Sequence, residues 1–140
     1  MTDSTRNTIL TNISNVISGI TSIKTVVCSN GNVNIETYKS ASLPLVQIIF
    51  NREAPLYETS HHALWEISFE LTCYVLGDIG DTDSVENIVK DIKNAIGENQ
   101  TMNQTCIITE IASVNIVGDF PLWRVIFDMR SKYEKDVADA

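Results

Sequence analysis

Long apolar runs, clustered basic residues and paired cysteines are all missing from this sequence, and each absence closes off a class of function. The longest apolar stretch, Leu43 to Phe50, is interrupted by Pro44 and Gln47, and a membrane-spanning helix requires ~20 residues. The opening Met1-Thr2-Asp3-Ser4-Thr5-Arg6-Asn7 has no basic segment leading into an apolar core, so a secretory signal is not expected there. Cysteine occurs three times, at Cys28, Cys73 and Cys106. An odd number without paired spacing suits a reducing compartment in which thiols stay free. In such a compartment the sequons at Asn12, Asn99 and Asn103 carry no glycan. Cys73 and Cys106 fall within strand patterns, where a free cysteine behaves as a small buried apolar group.

Ten basic residues are scattered among eighteen acidic ones, for a formal net charge of -8. Gripping a nucleic-acid backbone needs clustered Lys and Arg to displace condensed counterions, so that activity is not expected. An acidic protein can still sit beside DNA that slides past it.

Catalytic and ligand signatures are absent in turn. No Gly-x-Ser-x-Gly turn, phosphate loop or dinucleotide fingerprint is present. His61 and His62 are adjacent, and neighbouring histidines diverge on a strand instead of sharing a face, so they read as solvated loop or interface residues and not as a metal pair. Asp78, Asp81, Asp83 and Glu86 form an acidic patch. A calcium loop beginning at Asp81 would place Val85 and Ile92 at its fifth and twelfth positions, which need oxygen ligands. The patch reads instead as helix capping with favourable charge at a helix N-terminus. No metal or cofactor is expected.

What is present fits one folded domain. The chain has 140 residues, 44% of them hydrophobic, enough to bury a core without a metal or disulfide staple. Residues 1–135 are expected to form the domain and 136–140 a flexible acidic tail.

Ile9, Ile13, Val16 and Ile20, widened by Leu10 and Ile17, make the apolar stripe of an N-terminal helix capped by Asp3 or Ser4. Lys24 to Cys28 reads as a short strand and Asn30-Gly31 as a turn. Leu43 to Phe50 is apolar on both faces, the mark of a strand covered on both sides. Asn51 to Ala63, containing Pro55, reads as a long polar loop. The clearest signal follows: Trp65, Ile67, Phe69, Leu71, Cys73 and Val75 alternate with Glu66, Ser68, Glu70, Thr72 and Tyr74. That period of two describes a strand with one face in the core.

A second helix is expected from Asp83, with Glu86 completing a capping box, a stripe of Val85, Ile88, Val89, Ile92 and Ile96, and Gly97 as its stop. Gln100 to Gln104 reads as a connector before two more strands, Cys106 to Val117 and Leu122 to Tyr133. Gly118-Asp119-Phe120-Pro121 joins them. The fold class is therefore α+β: a mainly antiparallel four- to five-stranded sheet, its strands linked by hairpin-like joins, with both helices packed on one face.

The outward sheet face carries the candidate interaction residues. Glu66 and Glu70 on one strand are expected near Arg124 and Arg130 on another. The loop 51–63 brings Arg52, Glu53, Leu56, Tyr57, His61 and His62, and arginine and tyrosine are enriched at interface cores. These residues are the candidate contacts with other subunits.

The order of these parts resembles the tail terminator, or tail completion, proteins of long-tailed bacteriophages. The resemblance runs over most of the chain. It includes the Ile-rich first helix, the strand Leu43-Pro44-Leu45-Val46-Gln47-Ile48 with its long loop, and Leu64-Trp65-Glu66-Ile67-Ser68-Phe69-Glu70-Leu71. It continues through the helix ending Asn94-Ala95-Ile96-Gly97 to Trp123-Arg124-Val125-Ile126-Phe127-Asp128. The family has no active-site motif. The resemblance implies a small structural protein assembled in the host bacterial cytoplasm into a ring, generally hexameric, at the neck end of the virion tail. Its implied partners are copies of itself, the tail tube protein and the neck or connector protein, with DNA passing through unbound. A second reading is a small acidic protein-binding or immunity-type module acting as monomer or dimer, and a third is an enzyme of unknown type.

Overall fold

The structure is a computed structural model that describes residues 5–28, 44–59, 62–76, 83–102, 106–119 and 122–136. Its elements are α1 (Thr5–Ser18), β1 (Thr25–Cys28), β2 (Leu45–Glu58), β3 (His62–Leu76), α2 (Asp83–Glu98), β4 (Ile108–Asp119) and β5 (Leu122–Asp136). The strands form one sheet in the order β1-β2-β3-β5-β4. Every neighbouring pair is antiparallel except β1 with β2, which run parallel. The fold is α+β, with five strands and two helices among the described residues, as the hydrophobic periodicity predicts.

Both helices lie on one face because both apolar stripes and one set of alternating strand residues must be buried together. On α1 the fully buried residues are Ile9, Ile13 and Ile17, flanked by Leu10 and Val16, with Ile20 packed against the core just past the helix end. On α2 the buried residues are Val85, Ile88, Val89, Ile92 and Ile96. The sheet meets these with Val46 and Ile48 of β2, Ile67 to Val75 at alternate positions of β3, and Val125, Phe127 and Met129 of β5. Cross-strand pairing sets these side chains shoulder to shoulder: Val46 with Cys73, Phe69 with Met129, Leu71 with Phe127.

Several expectations are corrected. First, residues 51–58 are not loop. β2 continues to Glu58 and pairs with β3 as far as Ala63, so the polar segment is the outer half of a long β-hairpin. Thr59 closes it: its backbone N–H donates to the His62 carbonyl at 2.7 Å, and its hydroxyl accepts from the His62 N–H at 3.0 Å. The strand is hard to read because β-bulges between Phe50 and Arg52 and between Pro55 and Tyr57 twice break the alternation. Pro55 is tolerated because β1 pairs with β2 only from Leu45 to Ile48, so that among the described residues the rest of β2 is a sheet edge.

Second, not every join is hairpin-like. The connection from β1 to β2 spans about sixteen residues, which meets the dozen or more that a parallel crossover requires. Third, Gly97 does not stop α2, which runs through it to Glu98. The turn after the helix is held by the Met102 N–H donating to the Asn99 carbonyl at 2.9 Å. Met102 itself takes the positive φ, 45°. Fourth, β5 extends to Asp136, so the first residue of the expected tail is strand. Cys106, read as the first strand residue, lies two positions before β4 begins. The expected cap at Asp3 or Ser4, the Asn30-Gly31 turn and residues 137–140 lie outside the described residues.

Phe127 is fully buried at the centre of this core. Phe127→Ala is expected to cost about 3–5 kcal/mol in urea unfolding, whereas Leu56→Ala at the exposed end of the hairpin should change stability by less than about 0.5 kcal/mol.

Candidate assembly surface

The face turned away from the helices is a grid of polar and charged side chains whose neighbours are set by the strand register. Glu66 of β3 lies opposite Lys132 of β5, Ser68 opposite Arg130, Glu70 opposite Asp128, Thr72 opposite Ile126 and Tyr74 opposite Arg124. Across to β4, Arg130 faces Glu110 and Lys132 faces Ile108. On the other side Arg52 pairs with Ser68 and Ala54 with Glu66.

This register brings some of the expected ion-pair partners together and separates others. The Arg130 guanidinium reaches Glu66 at 3.4 Å and Asp128 at 3.6 Å, and Lys132 reaches Glu110 at 3.5 Å. Glu66 is the least exposed of these charges, at 12% of its side chain, so its link to Arg130 is shielded more than the rest. Glu70 is not beside Arg124. It faces Asp128, a like charge, and accepts a 3.4 Å hydrogen bond from the Thr72 hydroxyl instead. Alternation correctly puts all four residues on one face but cannot say which are opposite, because that depends on register. The grid is closed at its β1 end, where Leu45, Gln47 and Thr72 are buried on the same face.

The remaining candidates occupy the hairpin. Arg52, Leu56 and Tyr57 are exposed on the outer half of β2, and His62 is exposed at the first residue of β3. His61 lies outside the described residues. Glu53 is different: the bulge after Phe50 turns it to the helix-side face, opposite Ile67. There it is half-buried beside Tyr133, whose hydroxyl it engages. Burial first, and then the Glu53 carboxylate, push the Tyr133 hydroxyl up to about 12. Arg6 of α1 lies near the same group and stacks 4.8 Å over the Phe50 ring. Sequence reading did not place these four residues together, since they come from three separate elements.

Cys73 does not meet His62. Cys73 and His62 are on one strand, eleven residues apart, a separation of about 36 Å at the rise of an extended chain. Cys73 is fully buried and its thiol is pushed up to about 12 by that burial. Cys106 is also buried, and burial raises its thiol. It lies 3.3 Å from the Thr109 hydroxyl, which is 2.7 Å from the Ser131 hydroxyl. This short buried chain satisfies three polar groups where β4 begins. Among the described residues no group of His, Cys, Asp and Glu could hold a metal ion. An open depression of about 530 Å³ lies where the end of α1 meets α2. One of its carboxylates, Asp91, already accepts a 2.8 Å hydrogen bond from Ser22.

No family model matches the chain, and no curated protein matches it. In fold the chain is similar to one in the virion of a native gene transfer agent (GTA) particle. The likeness has a TM-score of 0.53 at 7% identity and covers 91% of this chain and 92% of that one. At this identity the likeness is one of fold.

Two measurements check the buried groups. Cys73 should resist a thiol reagent at pH 8 in the native protein and react on unfolding. Tyr133 should ionise only near pH 12. Because its folded value is raised, its contribution to stability is complete below about pH 10, the unfolded value, and is lost as pH climbs towards 12. Tyr133→Phe removes that hydrogen bond and is expected to lower stability at pH 7 by about 1–3 kcal/mol.

Proposed function

We propose that this chain is a non-catalytic structural subunit of a virion, and more specifically a tail terminator. In this role, copies form a closed ring, hexameric by resemblance, at the neck end of the tail. The ring caps the tail tube, ends its growth and joins it to the neck or connector protein while DNA passes through the opening. The observation that carries the reading is the fold likeness to a virion chain, which extends over nearly the whole of both chains. It joins the sequence resemblance, which has the same order of elements.

Three features support the role. The second sheet face is mixed in charge, with salt bridges that leave Arg130, Asp128 and Glu110 substantially exposed. Exposed pairs of this kind contribute little to stability, typically under ~1 kcal/mol, so they are available to be rearranged at a contact. The hairpin projects Arg52, Leu56 and Tyr57 beyond the part of the sheet that β1 covers. The net charge of -8 gives a ring wall that repels phosphates and lets DNA move.

Light scattering and electron micrographs test the reading, with the purified protein alone and mixed with tubes of the cognate tail tube protein. A closed ring, free in solution or seated at a tube end, is expected. A chain that stays monomeric and leaves tube ends bare would refute the terminator role.

A further inference from the structure

Among the described residues the exposed large hydrophobic side chains are Leu56 (47%), Tyr57 (60%), Ile107 (49%), Ile116 (43%) and Val117 (40%). None is on a helix or an interior strand. Leu56 and Tyr57 are on the part of β2 that β1 leaves uncovered, and Ile107, Ile116 and Val117 are on β4 or immediately before it. These are the two opposite edges of the sheet, with β3 and β5 between them. At the usual strand spacing the edges are about 14 Å apart, so one molecule cannot cover one edge with the other.

The edges differ in how they are guarded. β2 carries Pro55 and two bulges, the devices that normally blunt an edge. β4 has twelve residues, no Pro and no Lys, and a single bulge at Ala112. An edge of that length and composition is a template for another strand. The charges on the polar face are complementary. One row of the register runs Arg52, Ser68, Arg130, Glu110 across β2, β3, β5 and β4. It therefore ends in an exposed cation at one edge and an exposed anion at the other.

We propose that β4 of one copy lies antiparallel, in a second copy, along the half of β2 that is unpaired by any described strand on that side, with Glu110 beside Arg52, so that the sheets join edge to edge. The strand directions agree: β4 runs opposite to β5, and β2 runs parallel to β5, so a neighbour in the same orientation presents an antiparallel partner. β1 of the neighbour limits the contact, because it occupies β2 from Leu45 to Ile48. The Ala112 bulge lies just before the row of Ile49, where β4 has to bend aside to pass β1. A contact between opposite edges is head-to-tail and repeats around a closed ring or along an open fibre. The inference rests on the ring reading above for closure, but the contact itself is tested separately.

Chains carrying Arg52→Cys, mixed with chains carrying Glu110→Cys, should give a disulfide-linked pair under mild oxidation at high concentration. Neither variant alone should do so. A dominant link between two Glu110→Cys chains would mean a two-fold pair of β4 strands and would overturn the proposal, as would the absence of any link. In the unlinked protein, Arg52→Glu and Glu110→Arg should each weaken self-association at least tenfold, and the two changes in one chain should restore it. Failure of the double variant to restore association would also overturn it. If the link forms and micrographs show open fibres in place of rings, the contact stands and the ring reading falls.

Discussion

Fifteen consecutive residue pairs join β3 to β5, from His62 with Asp136 to Leu76 with Leu122, and no bulge interrupts them. A slip of one residue in this ladder would turn the core residues of one strand outward, either Phe69 and Leu71 or Phe127 and Met129, and bring that strand's Glu70 or Asp128 inward. The apolar alternation on both strands forbids that slip, and the two helices enforce the prohibition by packing on one side only. Everything at the edges is placed relative to this central pair. The bulges occur where β2 and β4 must adjust to it, between Phe50 and Arg52, between Pro55 and Tyr57, and at Ala112.

The same ladder explains why the polar face takes the form it does. Arg130 lies between Glu66 and Asp128 because Ser68, directly opposite it, is short and leaves the guanidinium free to reach sideways. Glu70 and Asp128 oppose each other, an arrangement that costs stability in an isolated sheet. That cost is local and is accepted on the surface where the chain is proposed to meet other molecules. On the other face Glu53 is drawn in by a bulge and held by Tyr133, which ties the start of the exposed hairpin to the core.

The helices and interior strands were legible because burial imposes a period. Ile9, Ile13 and Ile17, and Val85 through Ile96, repeat at helical spacing, and Trp65 to Val75 repeats at two. The outer half of β2 was not legible, because an edge strand with two bulges and Pro55 has neither a constant period nor a buried face to impose one. The candidate surface was half legible: alternation assigned Glu66, Glu70, Arg124 and Arg130 to one face but could not pair them. The Arg6, Phe50, Glu53 and Tyr133 group gave no local signal, since its members meet only after α1, β2 and β5 have packed.

By itself, then, the sequence determined the class of fold and the identity of the core. These depend on composition and on short-range periodicity, which the chain carries without reference to its neighbours in space. The tertiary structure decided the parallel placement of β1, the hairpin in place of a loop, the ion-pair partners and the two unlike sheet edges. Each of those depends on register and on which strand lies beside which, relations between residues far apart in the chain that no local pattern encodes.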